Sequence, residues 1–126
     1  MQRVNIIGAG LAGLSAAITL AENKIQSNLI SLQPSERAQS VLAEGGINGA
    51  LNTMGEEDAP KYHKEDTMRA GAYLADEEAV RGLTDEAPQM IRDLERLGVA
   101  FNTQKEEILL RNFGGQKKEA HCVCQE

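Results

Sequence analysis

The stretch from Arg3 to Leu32, RVNIIGAGLAGLSAAITLAENKIQSNLISL, decides the fold. Residues 3–7 carry branched apolar side chains and predict a short buried strand, and the glycines that follow predict a turn. From Leu11 to Asn23 apolar residues recur at helical spacing, and Asn28–Leu32 is again apolar and strand-like. A strand, a turn, a helix and a strand within about thirty residues form one βαβ unit, whose strands are expected to be parallel.

The turn at residues 8–13, GAGLAG, has the glycine spacing of a dinucleotide-binding turn. Gly8 permits the tight turn after the strand, Gly10 lets the backbone approach a pyrophosphate, and Gly13 lets the helix pack closely on the sheet. The amino end of the helix offers free N–H groups and a partial positive charge to phosphates. The spacing therefore predicts a nucleotide site, with a glycine-rich turn of another fold as the alternative.

The end of the second strand lacks the acidic residue that usually binds a ribose in such sites. Residues 30–33 are ISLQ, and the first acid after them is Glu36. This absence disfavours simple nicotinamide binding. The hydroxyl of Ser31 is the candidate replacement, as a ribose or phosphate contact.

Composition predicts one globular domain of 126 residues. Hydrophobic residues make up 41% of the chain, which is too high for disorder, whereas aromatic residues make up only 3%. The chain carries 13 basic and 19 acidic side chains, so its net charge is −6. This acidic balance argues against a nucleic acid or an anionic membrane surface as the main partner.

The rest of the chain is predicted to be mainly helical. A short helix is expected at Ala38–Ala43 within a glycine-containing loop, and a longer one at Ala59–Ala70. Asp76–Leu97 predicts one or two further helices, with Pro88 in the first turn of the later one, where a missing N–H costs little. Phe101–Leu110 is weakly strand-like.

The histidines and cysteines do not predict a metal site. His63 lies among charged residues and is expected on a solvated helix face. Cys122 and Cys124 are separated by one residue, and no second pair exists for a disulfide framework or a zinc site. Without a signal peptide or an apolar stretch long enough to span a bilayer, the sequence predicts a reducing, cytoplasmic location.

Residues 35–51 indicate the function more specifically than the glycine turn does. Residues 35–51, SERAQSVLAEGGINGAL, resemble the flavoprotein subunit of the succinate dehydrogenase and fumarate reductase family, of which L-aspartate oxidase is a close relative. Four later segments agree with that family in order and spacing, namely Asp66-Thr67, residues 73–76 (YLAD), 97–101 (LGVAF) and 111–115 (RNFGG). The resemblance implies an α/β fold, the N-terminal part of an FAD-binding, Rossmann-like domain of the GR2 type. This part would span residues 1–118, and residues 119–126 would form a tail without a usable pattern.

The resemblance also implies which residues hold FAD. The pyrophosphate would lie on the glycine turn, formed by Gly8, Ala9, Gly10, Leu11, Ala12 and Gly13, and the adenosine ribose near Ser31. A second segment would run along the pyrophosphate, the ribityl chain and the flavin ring, and consists of Ser40, Leu42, Ala43, Glu44, Gly45 and Gly46. Phe113 corresponds to an aromatic residue beside the dicarboxylate site, with ordinary core packing as the alternative.

One departure from the family concerns the attachment of FAD. Membrane-bound members bind FAD covalently through a histidine, and Gln39 takes that position here. Because an amide cannot form the bond, the resemblance implies noncovalent FAD and favours fumarate reduction or aspartate oxidation over succinate oxidation. An iron–sulfur subunit is the implied protein partner, with attachment to the inner face of the membrane through partner subunits as the alternative location.

The family's catalytic residues and substrate clamp come from later segments, so no catalytic residue is expected in this chain. The chain is therefore predicted to be the N-terminal FAD-binding segment of an oxidoreductase that interconverts fumarate and succinate, and to be inactive alone. The alternatives are a stand-alone FAD or nucleotide module completed by another chain, an L-aspartate oxidase fragment, and a poorly folded remnant with exposed apolar strands.

The tail suggests a frameshift. Residues 120–126 can be encoded GCG-CAC-TGC-GTA-TGC-CAA-GAG, and starting one base later gives Arg-Thr-Ala-Tyr-Ala-Lys, which resembles the family's continuation. We hypothesise that a single-base shift changed the reading frame here. The DNA sequence of the gene decides the matter, because the hypothesis requires a flavoprotein continuation in another downstream frame.

Overall fold

The computed structural model describes residues 3–42, 46–53, 55, 57–111 and 122–124. The chain divides into two compact units, Met1–Glu44 and Gly45–Glu126, and each is described by itself. Among the described residues, no helix combines the length and the apolar character needed to cross a membrane.

The first unit is a parallel βαβ unit, as predicted. Strand β1 (Val4–Ile7) is followed by helix α1 (Leu11–Glu22) and strand β2 (Ser27–Ile30). The strands pair in parallel, with Val4 opposite Ser27 and Ile7 opposite Ile30. A 3₁₀ turn at Ser35–Arg37 then leads to α2 (Gln39–Leu42), which lies within the predicted short helix.

The strands of the first unit expose much of their apolar surface. Val4, Leu29 and Ile30 are exposed, and Ile7 keeps 88% of its surface accessible. Among the described residues of this unit, only Ala9 is buried. Exposed apolar strands were predicted for the remnant alternative, in which the faces of the sheet are uncovered.

The second unit packs two helices and short strands around its own core. Its elements are β3 (Gly46–Asn48), α3 (Pro60–Ala70), α4 (Glu77–Arg96), β4 (Thr103–Gln104), β5 (Glu107–Ile108), β6 (Leu110–Arg111) and β7 (Cys122–Cys124). Strand β7 lies between β3 and β6 and is antiparallel to both, while β4 and β5 form a hairpin. Four buried side chains form the core, Leu51, Ile91, Ile108 and Leu110, with Ile47 and Phe101 packed against them.

Helix α4 differs from the prediction at Pro88. The sequence placed Pro88 in the first turn of a second helix, but α4 is one helix and Pro88 lies inside it. A proline in this position removes one helical hydrogen bond and is costly. The buried face of α4, formed by Thr84, Ala87 and Ile91, continues past the proline. Packing of this face therefore outweighs the local cost.

Asp76 starts α4 with a regular cap. Its carboxylate accepts hydrogen bonds from the backbone N–H groups of Glu78 and Ala79, both at 2.9 Å. Glu77 and Glu78 then stand in the first turn, where negative charge interacts favourably with the helix dipole. This local chemistry fixes the start of α4 close to the predicted position.

Candidate functional site

The glycine turn begins where β1 ends. The N–H of Gly8 donates to the carbonyl oxygen of Ile30 at 2.8 Å, so the pairing of the two strands continues one residue beyond β1. Gly8 has a φ of +108°, a conformation that side chains other than glycine rarely adopt. The tight turn predicted from the sequence therefore depends on glycine at this position.

Gly13 brings α1 directly against this turn. A Cβ atom added at Gly13 would lie 1.9 Å from the carbonyl oxygen of Gly8 and 3.5 Å from Cγ2 of Ile6. The first of these distances is far shorter than real Cβ contacts. Any side chain here would force the helix away from the turn, which agrees with the close helix packing predicted for this glycine.

The amino end of α1 has no cap from its own N-cap side chain, and a hydroxyl group from another segment lies beside it. Gly10 is the N-cap residue and provides no side-chain cap. The N–H of Leu11 donates instead to Oγ of Ser40, at 3.2 Å, and a Cβ at Gly10 would lie 3.1 Å from the same oxygen. Unpaired N–H groups at a helix start form a natural site for an anion. The structure thus brings Gly10, Leu11 and Ser40 together. Their role as pyrophosphate contacts stays a prediction.

A cleft of about 440 Å³ lies at the carboxyl ends of β1 and β2. Its lining includes Gly8, Ser31 and Arg37, so the structure also places the predicted ribose contact beside the glycine turn. No acidic side chain lines the described cleft, and Arg37 contributes a positive charge. This charge distribution suits a phosphate-bearing ligand.

The remaining predicted site residues fall into three groups. Ala9 is buried within the turn, and Ala12 and Leu42 are exposed. Gly46 begins β3 in the second unit. The others lie outside the described residues and stay predictions, namely Ala43, Glu44, Gly45 and Phe113.

His63 is not the surface residue that the sequence predicted. It is only 7% exposed, because α3 packs one face against α4 and His63 and Asp66 lie on the buried side of α3. The sequence prediction was based on the charged neighbours of His63, but these neighbours lie on the other faces of the helix. His63 lines a cavity of about 740 Å³ between β3, α3 and α4, which sequence reasoning missed.

Sequence comparison identifies relatives of the chain among flavoproteins. The chain is 46% identical over 111 residues to the succinate dehydrogenase flavoprotein subunit of Bacillus subtilis (strain 168), covering 87% of this chain and 19% of that protein. It is 43% identical over 121 residues to a fumarate reductase (CoM/CoB) subunit of Methanothermobacter marburgensis, covering 94% of this chain and 22% of that protein. The chain thus spans about a fifth of the length of these relatives.

Comparison with solved structures shows that the chain shares its fold with proteins of the same kind. The apo form of the Mycobacterium smegmatis Sdh1 complex matches 99% of this chain and 22% of its own, with a TM-score of 0.86 and 32% identity. A mutant of E. coli quinol fumarate reductase FrdA matches 97% of this chain and 22% of its own, with a TM-score of 0.85 and 31% identity. A sequence model of the FAD binding domain family matches residues 3–126. The chain therefore belongs to the FAD binding domain family, with succinate dehydrogenase and fumarate reductase flavoprotein subunits among its relatives.

Proposed function

We propose that this chain binds FAD noncovalently through the glycine turn of its first unit, as the N-terminal segment of a flavoprotein that interconverts fumarate and succinate. The observation that carries the proposal is the juxtaposition of Gly13, the amino end of α1 and Ser40. Gly13 has no room for a side chain, and the Leu11 N–H donates to the Ser40 hydroxyl oxygen at a place where a phosphate oxygen would also accept this hydrogen bond. The residues present therefore fit the pyrophosphate of FAD.

Each part of the first unit has a separate task in binding. The N–H groups at the start of α1 and the Ser40 hydroxyl orient the pyrophosphate, while Ser31 lies in the cleft where the ribose would be held. Arg37 supplies a charge that attracts the phosphates. Bound FAD would supply the hydride acceptor and donor, because no amino-acid side chain performs that chemistry.

Gln39 supports noncovalent binding. By the resemblance, Gln39 takes the position of the histidine that attaches FAD in membrane-bound members of the succinate dehydrogenase and fumarate reductase family. Its side-chain amide is not a nucleophile that could form this bond. Gln39 begins α2, one residue before Ser40, so it stands next to the proposed pyrophosphate contact.

The proposal is tested by the visible absorption spectrum of the purified chain after it is mixed with FAD and desalted. We expect a retained flavin spectrum that passes entirely into the supernatant when the protein is precipitated with acid. A colourless desalted protein would overturn FAD binding by this chain. A yellow acid pellet would instead overturn noncovalent attachment.

Ser40→Ala is expected to weaken FAD binding at least about tenfold, because one hydrogen bond from a hydroxyl group to a charged pyrophosphate contributes about 1.5–3 kcal/mol. Quenching of flavin fluorescence during titration with protein measures the affinity. Ser15→Ala is the matched control. Ser15 is an exposed serine within α1, so this substitution removes the same hydroxyl group at a position away from the site. Equal affinities of the two variants would remove Ser40 from the binding site.

The dicarboxylate substrate and an iron–sulfur partner belong to the proposed full-length activity. The fragment alone is proposed to be inactive, because the family's catalytic residues lie in later segments. Turnover of L-aspartate by a full-length protein, in place of fumarate reduction, would favour the L-aspartate oxidase alternative.

A second candidate is an FAD module that a separate chain completes. The exposed apolar side chains of β1 and β2 favour it, since a covering polypeptide would remove Val4, Ile7 and Ile30 from water. Co-expression with a polypeptide carrying the family's cap and C-terminal flavin segments tests this candidate. A stable complex with fumarate reductase activity supports it, and no association argues against it.

A further inference from the structure

A surface cleft of about 560 Å³ lies at the end of the first unit that is opposite the glycine turn. It is lined by Arg3, which precedes β1, by Ser27, which begins β2, and by residues at the end of α1. Gly8 and Ser31 follow the carboxyl ends of the same strands, and strands of 4 residues at about 3.3 Å per residue are about 13 Å long. The cleft is therefore separate from the predicted FAD contacts.

The charged side chains that line this cleft are positive. Arg3 and Lys24 line it, and none of the described residues in its lining is acidic. Glu22 ends α1 two residues before Lys24, but it does not line the cleft. Neither cation forms an ion pair with another described residue. The cleft is therefore a local positive site on a chain whose net charge is −6, and it attracts an anion.

Lys24 has a backbone conformation that lysine rarely adopts. Its φ is +58°, and it follows Asn23, the C-cap residue of α1. Glycine is usual at this position because it has no Cβ and adopts a positive φ without strain. Lysine here keeps a strained backbone and places an ammonium group at the cleft. The charge of Lys24 therefore explains its presence better than its backbone preference does.

The helix dipole is the alternative explanation for a cation at the end of α1. The carboxyl end of a helix attracts cations through carbonyl groups that lack a helical hydrogen bond. In α1, the carbonyl oxygen of Leu20 accepts a hydrogen bond from the N–H of Ile25 at 2.8 Å. The carbonyl oxygen of Ala21 accepts one from the N–H of Lys24 at 2.9 Å. These bonds satisfy the end of the helix without the ammonium group, which is left to interact with a ligand.

The guanidinium group of Arg3 is oriented by an amide. Its Nε donates a hydrogen bond to Oε1 of Gln26 at 3.3 Å, and this bond joins the segments that precede β1 and β2. The two terminal nitrogens form no hydrogen bond with a described residue. A guanidinium group can donate two parallel hydrogen bonds to phosphate, whereas an ammonium group acts as a point charge. Arg3 and Lys24 therefore provide both kinds of cation that bind phosphate.

We propose that this cleft binds a small phosphate ester, with its phosphate group held by Arg3 and Lys24. A phosphate monoester carries about 1.5 to 2 negative charges at pH 7, which match the two cations. Ala21 and Ile25 line the cleft as well, and its volume lies within the range of small-molecule sites, so it also has room for an apolar organic part. The inference goes beyond FAD binding, because it uses none of the predicted FAD contacts.

The test follows the backbone amide signals of the full chain by two-dimensional ¹H–¹⁵N NMR. The probes are inorganic phosphate and phenyl phosphate, each titrated at constant ionic strength. We expect saturable shifts at Lys24, Ile25 and Ser27, with a dissociation constant below about 10 mM. Phenyl phosphate is expected to bind more tightly, because its ring would cover Ile25, which is 44% exposed. The signals of Gly10 and Leu11 report separately on phosphate binding at the glycine turn.

Lys24→Asn removes the ammonium group and introduces a residue that adopts a positive φ more readily. We expect it to weaken phenyl phosphate binding at least about tenfold and to leave the melting temperature unchanged. Lys105→Asn is the matched control, because Lys105 is also an exposed lysine with a positive φ, of +52°, and does not line the cleft.

Arg3→Gln tests the second cation at a position outside α1. We expect it to weaken phenyl phosphate binding at least about tenfold, because it removes the charge and the paired donors. Arg92→Gln is the matched control, since Arg92 is exposed and does not line the cleft. Binding of phenyl phosphate to Arg3→Gln as tightly as to the unmodified chain would overturn the proposal.

Other results would overturn the proposal in different ways. Shifts confined to Gly10 and Leu11 would assign phosphate to the glycine turn alone and leave the FAD proposal standing. Equal losses of binding in Lys24→Asn and Lys105→Asn would show a general effect of charge. A lower melting temperature of Lys24→Asn with phenyl phosphate binding intact would show that Lys24 serves only the end of α1. Succinate that shifts the signals of the cleft at lower concentrations than phenyl phosphate would overturn the class of ligand.

Discussion

Gly13→Ala is expected to abolish FAD binding and to destabilise the first unit. The added Cβ would start 1.9 Å from the Gly8 carbonyl oxygen, whereas real Cβ atoms essentially never come within 3.0 Å of another heavy atom. The helix start or the turn must therefore move by about 1 Å, and overpacking of this kind costs about 1–3 kcal/mol. The clashing atom is backbone and cannot rotate away. Movement of the turn also displaces the N–H groups proposed to hold the pyrophosphate.

The experiment pairs this variant with a second glycine-to-alanine change in a helix. Gly82 lies inside α4, and a Cβ there would meet nothing within 4 Å. Gly82→Ala is therefore expected to stabilise the second unit by about 0.5–1 kcal/mol, the usual preference for alanine in a helix. Urea unfolding and flavin titration are measured for both variants. Retained FAD affinity in Gly13→Ala would contradict the role given to the glycine turn.

The first unit could be predicted from sequence because its determinants are local. Gly8 adopts a positive φ and Gly13 excludes a side chain, and both features follow from the glycine spacing. The strands on either side are apolar and close in sequence, so their parallel pairing follows from the short crossover. Ser40 is a different case, since its contact with Leu11 joins residues far apart in sequence. The resemblance to a flavoprotein family, rather than periodicity, identified it.

The second unit was predicted less completely because tertiary packing decides it. Strands β3 and β7 have three residues each, too few for an alternating pattern to emerge, and β7 pairs across a large sequence separation. His63 is buried by the contact between α3 and α4, which no local pattern shows. Pro88 interrupts the hydrogen bonds of α4 but not its buried face. In each case long-range contacts override a local preference.

Ile91→Ala is expected to have the largest effect on the second unit, with a loss of about 2–5 kcal/mol in the free energy of unfolding. Ile91 has no accessible surface and lies in the core with Leu51, Ile108 and Leu110. Domains of this size have about 5–15 kcal/mol of stability in total, so the loss threatens the folded state. Leu97→Ala, at an exposed position, is expected to change the free energy of unfolding by less than about 0.5 kcal/mol. Equal urea midpoints for the two variants would contradict a core centred on Ile91.

The contact between Ile91 and Gly49 gives a sharper form of this prediction. A Cβ added at Gly49 would lie 2.4 Å from Cδ1 of Ile91, so Gly49→Ala is expected to destabilise the unit by about 1–3 kcal/mol. Ile91→Val removes the clashing Cδ1 atom at a cost of about 0.5–1.5 kcal/mol. The double variant should therefore be more stable than the sum of the two single losses predicts, by about 1 kcal/mol or more in a double-mutant cycle. Strict additivity would mean that the segment after β3 does not press against Ile91, and the packing of α4 on this segment would have to be revised.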